Sequence, residues 1–288
     1  MTVDVRNFFH EPTNTITHVV WDAAANECAI IDPVLDFDQS AGRTGTAAAD
    51  EVLTFVSQQE LQVRYICETH VHADHLSAAV YCKEKTGAPV VIGSGVREVT
   101  RLFTPLFARP EDQQAVSSEY FDQLLADGEE LPLGNTVIRC LFTPGHTPAC
   151  VTYVVDDAAF VGDTLFMPDY GTARTDFPGG DAALLYRSIQ RILQLPAATR
   201  LYMCHDYKAP GRNEYAWETT VAAQRSQNVH IKNGVSEADF VEFRTTRDAQ
   251  LSVPALLLPS VQVNLRGGAL PAPDTHGIRY LKIPLNQL

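Results

Sequence analysis

The segment THVHADH (residues 69–75) places three histidines and an aspartate within seven residues, directly after the apolar stretch VRYICE (residues 63–68). Alternate side chains of an extended segment project to the same side, so His70 and His72 can grip one ion. Asp74 and His75 follow where the chain turns and can face a neighbouring ion. Three more residues of this chemistry sit at the ends of strand-like runs: His146 in TPGHT, Asp163 in VGDT and His205 in CHDY. Core histidines do not cluster in this way. A lone HxH arises by accident, whereas HxHxDH followed in order by TPGHT and VGDT points to a metal centre. The chain must fold so that loops at several strand ends meet at one place.

The pattern of elements supplies such ends. THVVW (17–21) and CAIIDP (28–33) read as strands around a turn at residues 24–27, and Pro33 stops the second. Residues 47–59 form helix readily, with Val52, Leu53 and Val56 on one stripe, and lead into the strand that ends on His70. Residues 76–85 read as a helix closed by Gly87 and Pro89, followed by the short buried strand VVIG (90–93). GSGVRE (93–98) lacks dinucleotide-loop spacing and opens another helix. In the middle, turns at Asp127–Gly128 and Gly134–Asn135 precede a strand over 136–142. VTYVVDD and AFVGDT follow as strands, then a Gly/Pro loop (168–180), a helix over 181–193 and the strand RLYMCHDY. The ββαβα order thus occurs twice without a sequence repeat. Residues 214–227 read as helical, and the Ser236 to Asp239 spacing fits a capping box before Phe240. From Ser252 on, Pro and Gly alternate with short apolar runs, as in a tail that wraps the body. No linker stands out, so a single domain over 1–288 is expected, with its core at about 8–207 and a C-terminal extension from about 208 to 288.

Charge narrows the partners. The 22 Lys and Arg against 35 Asp and Glu give a formal charge of -13, a field that repels phosphate backbones and anionic lipid. Nucleic acid and membrane are excluded as expected partners, and an anionic substrate needs a local basic pocket. The N-terminus lacks a basic stretch followed by an apolar run, and no stretch approaches about 18 apolar residues. A cytoplasmic location is therefore expected. The six cysteines form no CxxC pair and lie in apolar runs, which suits reduced, buried thiols.

The residues of the metal pattern resemble the metallo-β-lactamase superfamily from about Phe8 to Tyr207. That resemblance implies an α/β (α+β) fold, an αββα sandwich of two βα halves. It implies His70, His72 and His146 at a first metal site, Asp163 between sites, and Asp74, His75 and His205 at a second. The flanking IDPVLDFD (31–38), TPGHTPAC (143–150), ARTDFPGG (173–180) and CHDY, with AGRTGTAAAD (41–50) and LPSVQVNLRGG (258–268), are similar to the persulfide dioxygenases of bacterial type. Thr172–Ala173 and Ala149 depart from that family's Cys–Gly and Gly, which bears on pocket shape more than on metal binding.

The narrower resemblance implies one Fe(II) per chain held by His70, His146 and Asp163, with three positions open. It implies oxidation of glutathione persulfide by O2 to sulfite and glutathione. His72, Asp74, His75 and His205 would then orient the ligands and water. The alternative is a binuclear hydrolase with zinc, such as a glyoxalase II-like thioesterase, using all seven positions and a hydroxide activated by the metals. A non-catalytic scaffold is disfavoured by the complete ligand set. A homodimer is possible in either case. For a substrate carboxylate, Arg174 is the first candidate, with an ion pair to Asp176 as its competing role. Tyr207, two residues past His205, can offer a hydroxyl or serve as a core aromatic. Arg225 and Lys232 read as solvated charges, Cys150 as core, and Asp127, Glu129 and Glu130 as a solvated turn. His10, His18, His230 and His276 lack partner spacing and read as surface or core.

Overall fold

The computed structural model describes residues 2–107 and 120–287. Two six-stranded sheets carry the architecture, each beginning as an antiparallel meander and turning parallel where a helix intervenes. The first runs in the order Asp4–His10, Thr15–Asp22, Glu27–Ile31, Gln62–Glu68, Val90–Gly93, Gln123–Leu125. The second runs Glu130–Leu133, Thr136–Phe142, Val151–Val155, Ala158–Phe160, Arg200–Tyr202, Glu218–Thr220. The described helices are α1 (Ala47–Gln58), α2 (Ala79–Thr86), α3 (Val96–Phe107), α4 (Ala182–Leu193), α5 (Val221–Gln227), α6 (Glu237–Asp248) and α7 (Leu257–Asn264).

The two-residue period of a strand sorts side chains into layers. Along Glu27–Ile31, Ala29 and Ile31 enter the core between the sheets with Cys67, Ile138, Tyr153 and Phe160. Their neighbours Cys28 and Ile30 turn the other way, onto Val52 and Val56 of α1. On the outer face of the second sheet, Leu141, Val154 and Leu201 meet Leu185, Ile189 and Ile192 of α4 and Phe240 of α6. Each such aliphatic side chain contributes about 1.5–3 kcal/mol by leaving water. Helix, sheet, sheet and helix layers result, the expected αββα sandwich.

Three local expectations are corrected. Residues 76–85 are not one helix: Leu76–Ser77 pairs antiparallel with Val34–Leu35, and α2 starts only at Ala79, whose N–H donates to Ser77 Oγ at 2.9 Å. Residues 214–227 are not one helix either. Glu218–Thr220 adds an edge strand to Arg200–Tyr202, and the Thr220 hydroxyl then caps α5 by accepting from the Ala223 N–H. The C-terminal tail is more than a wrapping: α7 buries Leu257, Val261 and Val263 in the core beneath α2 and α3. The Ser236 cap is present, its side chain accepting from the Asp239 N–H. All six cysteines are free and buried. Among the described residues no helix is long and apolar enough to cross a membrane.

Candidate metal centre

The strand Gln62–Glu68 ends by delivering residues 69–75 to the rim of the sandwich, where Asp32 receives them. Asp32 closes the neighbouring strand in the left-handed region (φ 50°) and is 1% exposed. Its carboxylate accepts from Thr69 N at 2.7 Å, Thr69 Oγ1 at 2.8 Å and His72 Nε2 at 3.0 Å. Glu68 Oε2 lies 3.3 Å from the same His72 nitrogen, while Ser77 Oγ donates to Glu68 Oε1 at 2.5 Å. His72 Nε2 is therefore engaged by carboxylates, which leaves Nδ1 for another partner. His146 is fixed the other way round. Its Nδ1 donates to the Arg174 carbonyl at 2.8 Å, and because a carbonyl only accepts, Nε2 carries the lone pair. His70 Nδ1 is 3.0 Å from Thr69 Oγ1. The Thr15 hydroxyl is 3.3 Å from both His75 Nδ1 and His205 Nδ1, and Ile16 N donates to Cys204 O at 2.7 Å, so the two halves of the molecule are joined at this point. Gly162 permits the close approach of Asp163: with φ 52°, a Cβ there would sit 2.8 Å from Thr69 Oγ1.

The far ends of these side chains converge. Asp163 Oδ2 is 3.8 Å from His70 Nε2 and 3.7 Å from His146 Nε2, and its Oδ1 is 3.4 Å from His205 Nε2. Asp74 Oδ2 is 3.4 Å from His205 Nε2, and Oδ1 is 3.4 Å from His75 Nδ1. Among the donor groups that form are His70, His146 and Asp163 in one and His72, Asp74, His75 and His205 in another, with Asp163 also beside His205 and Cys204, and His72 beside Asp32 and Cys204. Buried polar atoms are nearly always paired. Yet His70 Nε2, His72 Nδ1, His75 Nε2, His205 Nε2 and Asp163 Oδ1 are buried with no hydrogen-bond partner. Imidazole lone pairs and a carboxylate oxygen, orphaned together at separations about those of donors sharing an ion at ~2.1 Å, fit a bound metal cation.

Electrostatics favour that use at His70, His75 and Asp74, whereas the shifts of His72 and Asp163 run against it. Burial, reinforced by the neighbouring imidazoles, pushes His70 well below its ordinary value and His75 down to about 3, so both are neutral and able to ligate. Burial would lower His72 as well, but Asp32 and Glu68 outweigh it and hold that ring well above the usual range. Burial raises Asp163. It acts in the same direction on Asp74, where the surrounding His205, His75 and His72 rings outweigh it and hold the carboxyl well below its ordinary range.

A cavity of about 300 Å³ opens onto His146, Asp163 and Asp74, walled by Phe166, Phe177 and Leu251. Arg174 lines it, with Nε and Nη2 on Asp176 at 2.6 and 2.5 Å and Nη1 on Ser252 O at 2.9 Å. Tyr207 stacks on His205 with centroids 5.7 Å apart, and its hydroxyl donates to Asp74 Oδ2 at 3.2 Å. Two further residues line the cavity: His230, read from the sequence as surface or core, and Arg247, which the sequence reading did not single out. His230 accepts from Thr172 N through Nδ1 at 3.0 Å, so its Nε2 carries the hydrogen; burial, with Arg244 and Arg247 adding, pushes it down to about 4. Gly171 makes room, since a Cβ there would lie 2.1 Å from that ring. Arg247 is exposed on α6, and its guanidinium has no ion-pair or hydrogen-bond partner among the described residues. The same helix fixes the wall: buried Arg244 donates to Thr172 O and pairs with Asp248, which accepts from Thr175 N at 2.7 Å. No local spacing marks either residue, because the 172–176 loop and α6 meet only in the folded chain.

The other singled-out residues stand apart. Cys150 is buried beside Thr147, its thiol pushed by burial up to about 12. His18 is buried, His10 contacts Asp36, and His276 is exposed. Arg225 donates to Leu193 O, and Lys232 is exposed. Asp127 pairs with Arg191 at the surface.

Residues 12–205 match the family model described as metallo-beta-lactamase superfamily. The chain is 55% identical over 296 residues to a probable metallo-hydrolase of Burkholderia pseudomallei, covering 99% of each. It spans about two thirds of the length of the beta-lactamase hydrolase-like proteins of Xylella fastidiosa that it matches at 50% identity. It is 32% identical over 207 residues to the human mitochondrial persulfide dioxygenase ETHE1, covering 70% of this chain and 68% of that one. The crystal structure of ETHE1 from Myxococcus xanthus superposes with a TM-score of 0.73 at 29% identity, over 93% of this chain and 100% of that one. The match to persulfide dioxygenases is thus more distant than the match to a probable metallo-hydrolase. With the sandwich, the converging donors and a family match over most of its length, this chain belongs to the metallo-β-lactamase superfamily.

Proposed function

We propose that the chain is a persulfide dioxygenase that oxidises glutathione persulfide with O2 at one Fe(II) held by His70, His146 and Asp163. The observation that carries this reading is the two-histidine, one-carboxylate group whose His146 and Asp163 form the floor of the cavity. Ferrous iron, held by these three residues, would supply the redox-active centre for the reaction. The overall change is persulfide plus O2 plus water to thiol, sulfite and two protons.

The protein's own groups do the rest. The Arg174 carbonyl holds His146 in one tautomer. Asp32 and Glu68 hold His72, while Asp74 takes the Tyr207 hydroxyl, so neither His72 nor Tyr207 is free to rotate. Phe166, Phe177 and Leu251 keep water from the reacting sulfur. Arg247 offers its charge to a tripeptide carboxylate, and His230 offers a neutral N–H beside it. Arg174 can join them only in competition with Asp176. Reduced cysteines suit the cytoplasmic location expected of this chemistry.

A second reading has a specific observation behind it. The orphaned His72 Nδ1, His75 Nε2 and His205 Nε2, with Asp74, form a complete further donor set, as a binuclear zinc hydrolase of glyoxalase II type requires. One experiment separates the two. Metal analysis with an oxygen electrode is expected to show one iron per chain and O2 uptake matched by sulfite release from glutathione persulfide. Two tightly held zinc ions, hydrolysis of a glutathione thioester and no O2 uptake would overturn the proposal in favour of the hydrolase.

A further inference from the structure

The metal loop is held from behind by a residue far along the chain. Asn264, the last residue of α7 and 4% exposed, accepts from Ser77 N through Oδ1 at 2.8 Å. Its Nδ2 donates to the carbonyls of His72 at 2.9 Å and of His75 at 2.8 Å. One amide thus satisfies three backbone groups of a segment with no regular structure of its own. The residues that follow extend the grip. Gly267 O accepts from Val80 N at the start of α2 at 3.1 Å. Gly268 lies so close that a Cβ would meet Ser77 O at 2.6 Å, and its φ of 91° suits glycine. Further out, the Gln262 amide donates to Lys282 O and accepts from Lys282 N, both at 2.8 Å, fastening the end of the tail.

Asp32, Glu68, Thr15 and Asp74 orient the His72 and His75 rings, and Asn264 holds the backbone from which those rings project. We propose that Asn264 is a positioning residue of the metal centre, and that docking of α7 and loading of the metal are linked equilibria. Linkage is reciprocal: if the docked helix improves metal affinity, bound metal tightens the docking by the same factor. The inference rests on reading residues 70–75 as metal ligands, and is independent of whether the ion is iron or zinc and of which reaction follows.

Cobalt(II), added to the full metal-free chain, is the probe, because its visible spectrum reports ligand geometry without turnover. Asn264→Asp keeps the acceptor for Ser77 N and sets lone pairs against the two carbonyls; Asn264→Leu removes all three bonds at similar size. Affinity measured by chelator competition is expected to fall about 10- to 100-fold in both, the range for groups that orient metal ligands, with an altered cobalt spectrum. Cooperative thermal unfolding of the metal-free variants establishes that they fold. Hydrogen exchange on the unmutated chain is the second measurement, with slower exchange at residues 257–268 on loading and a smaller change in α5 expected. Folded variants with unaltered affinity and spectrum would overturn the proposal. Should neither variant fold, unaltered exchange at residues 257–268 on loading would overturn it instead. An unmutated chain that binds no cobalt would overturn the metal reading itself, and this inference with it.

Discussion

The two donor groups differ in what stands behind them and in what lies in front. His70 and His146 are backed by neutral acceptors, the Thr69 hydroxyl and the Arg174 carbonyl, and their group faces the cavity. His72 is backed by two carboxylates, and His72, His75 and His205 are all 0% exposed. Open coordination positions are of use only where a substrate can reach them, so the proposed function assigns the chemistry to the first group, whose His146 and Asp163 line the cavity. The second group offers the cavity Asp74 alone, with its three histidines buried behind it. The two sets differ in what the cavity reaches, an imidazole and a carboxylate in the first and a carboxylate in the second.

The largest effect expected from breaking this contrast is at Asp163, which contributes the only negative charge of the open group. Asp163→Ala is expected to lower metal affinity by more than the roughly hundredfold typical of supporting residues, and to abolish turnover. Metal analysis after dialysis checks it; full metal content would remove Asp163 from the ligand set. His205→Ala sharpens the contrast next. With one metal, stoichiometry stays at one per chain while turnover falls about tenfold, as for other positioning groups; with two, the metal content halves. For Arg247→Ala, a KM raised about tenfold at unchanged metal content is expected, equivalent to about 1.4 kcal/mol of substrate binding. A lysine there should recover part of the loss, and an unaltered KM would leave the cavity without its free cation. The smallest effect lies outside both groups. Burial pushes His18 down to about 4 from an ordinary 6.5, so the unfolded chain takes up the proton first. Its contribution to stability is complete above about pH 6.5 and is lost as pH falls towards 4, and denaturant titrations of His18→Gln should show a flatter acid limb.

How much of this was legible depended on whether the information was local. HxHxDH, TPGHT and VGDT could be read because ligation at a strand end needs particular residue types at short spacing, and the doubled ββαβα order showed that such ends exist. Asp32 looked like part of an Asp-Pro stop; only the folded chain shows it gathering Thr69 and His72. Arg174 was visible, but its pairing with Asp176 and Ser252 was a matter of three-dimensional competition. Arg247 and His230 carried no local mark at all. The misread helix starts at residues 76 and 214 share one cause. Leu76–Ser77 and Glu218–Thr220 are helix-compatible stretches recruited as strands by partners remote in sequence, and tertiary pairing overrides weak propensity.

Asn264 lies 192 residues after the His72 whose carbonyl it holds, and this has a consequence for how the protein is made. At roughly 5–20 residues per second on the ribosome, about 10 to 40 seconds separate the two during synthesis. Throughout that interval the THVHADH imidazoles are exposed to the cell's divalent ions without the geometry that later constrains them. Unconstrained nitrogen ligands follow the general affinity order, in which copper and zinc outcompete ferrous iron. On the proposed reading of these residues as ligands, the nascent chain is at its least selective before Asn264 is made, and the choice of metal falls after α7 has docked.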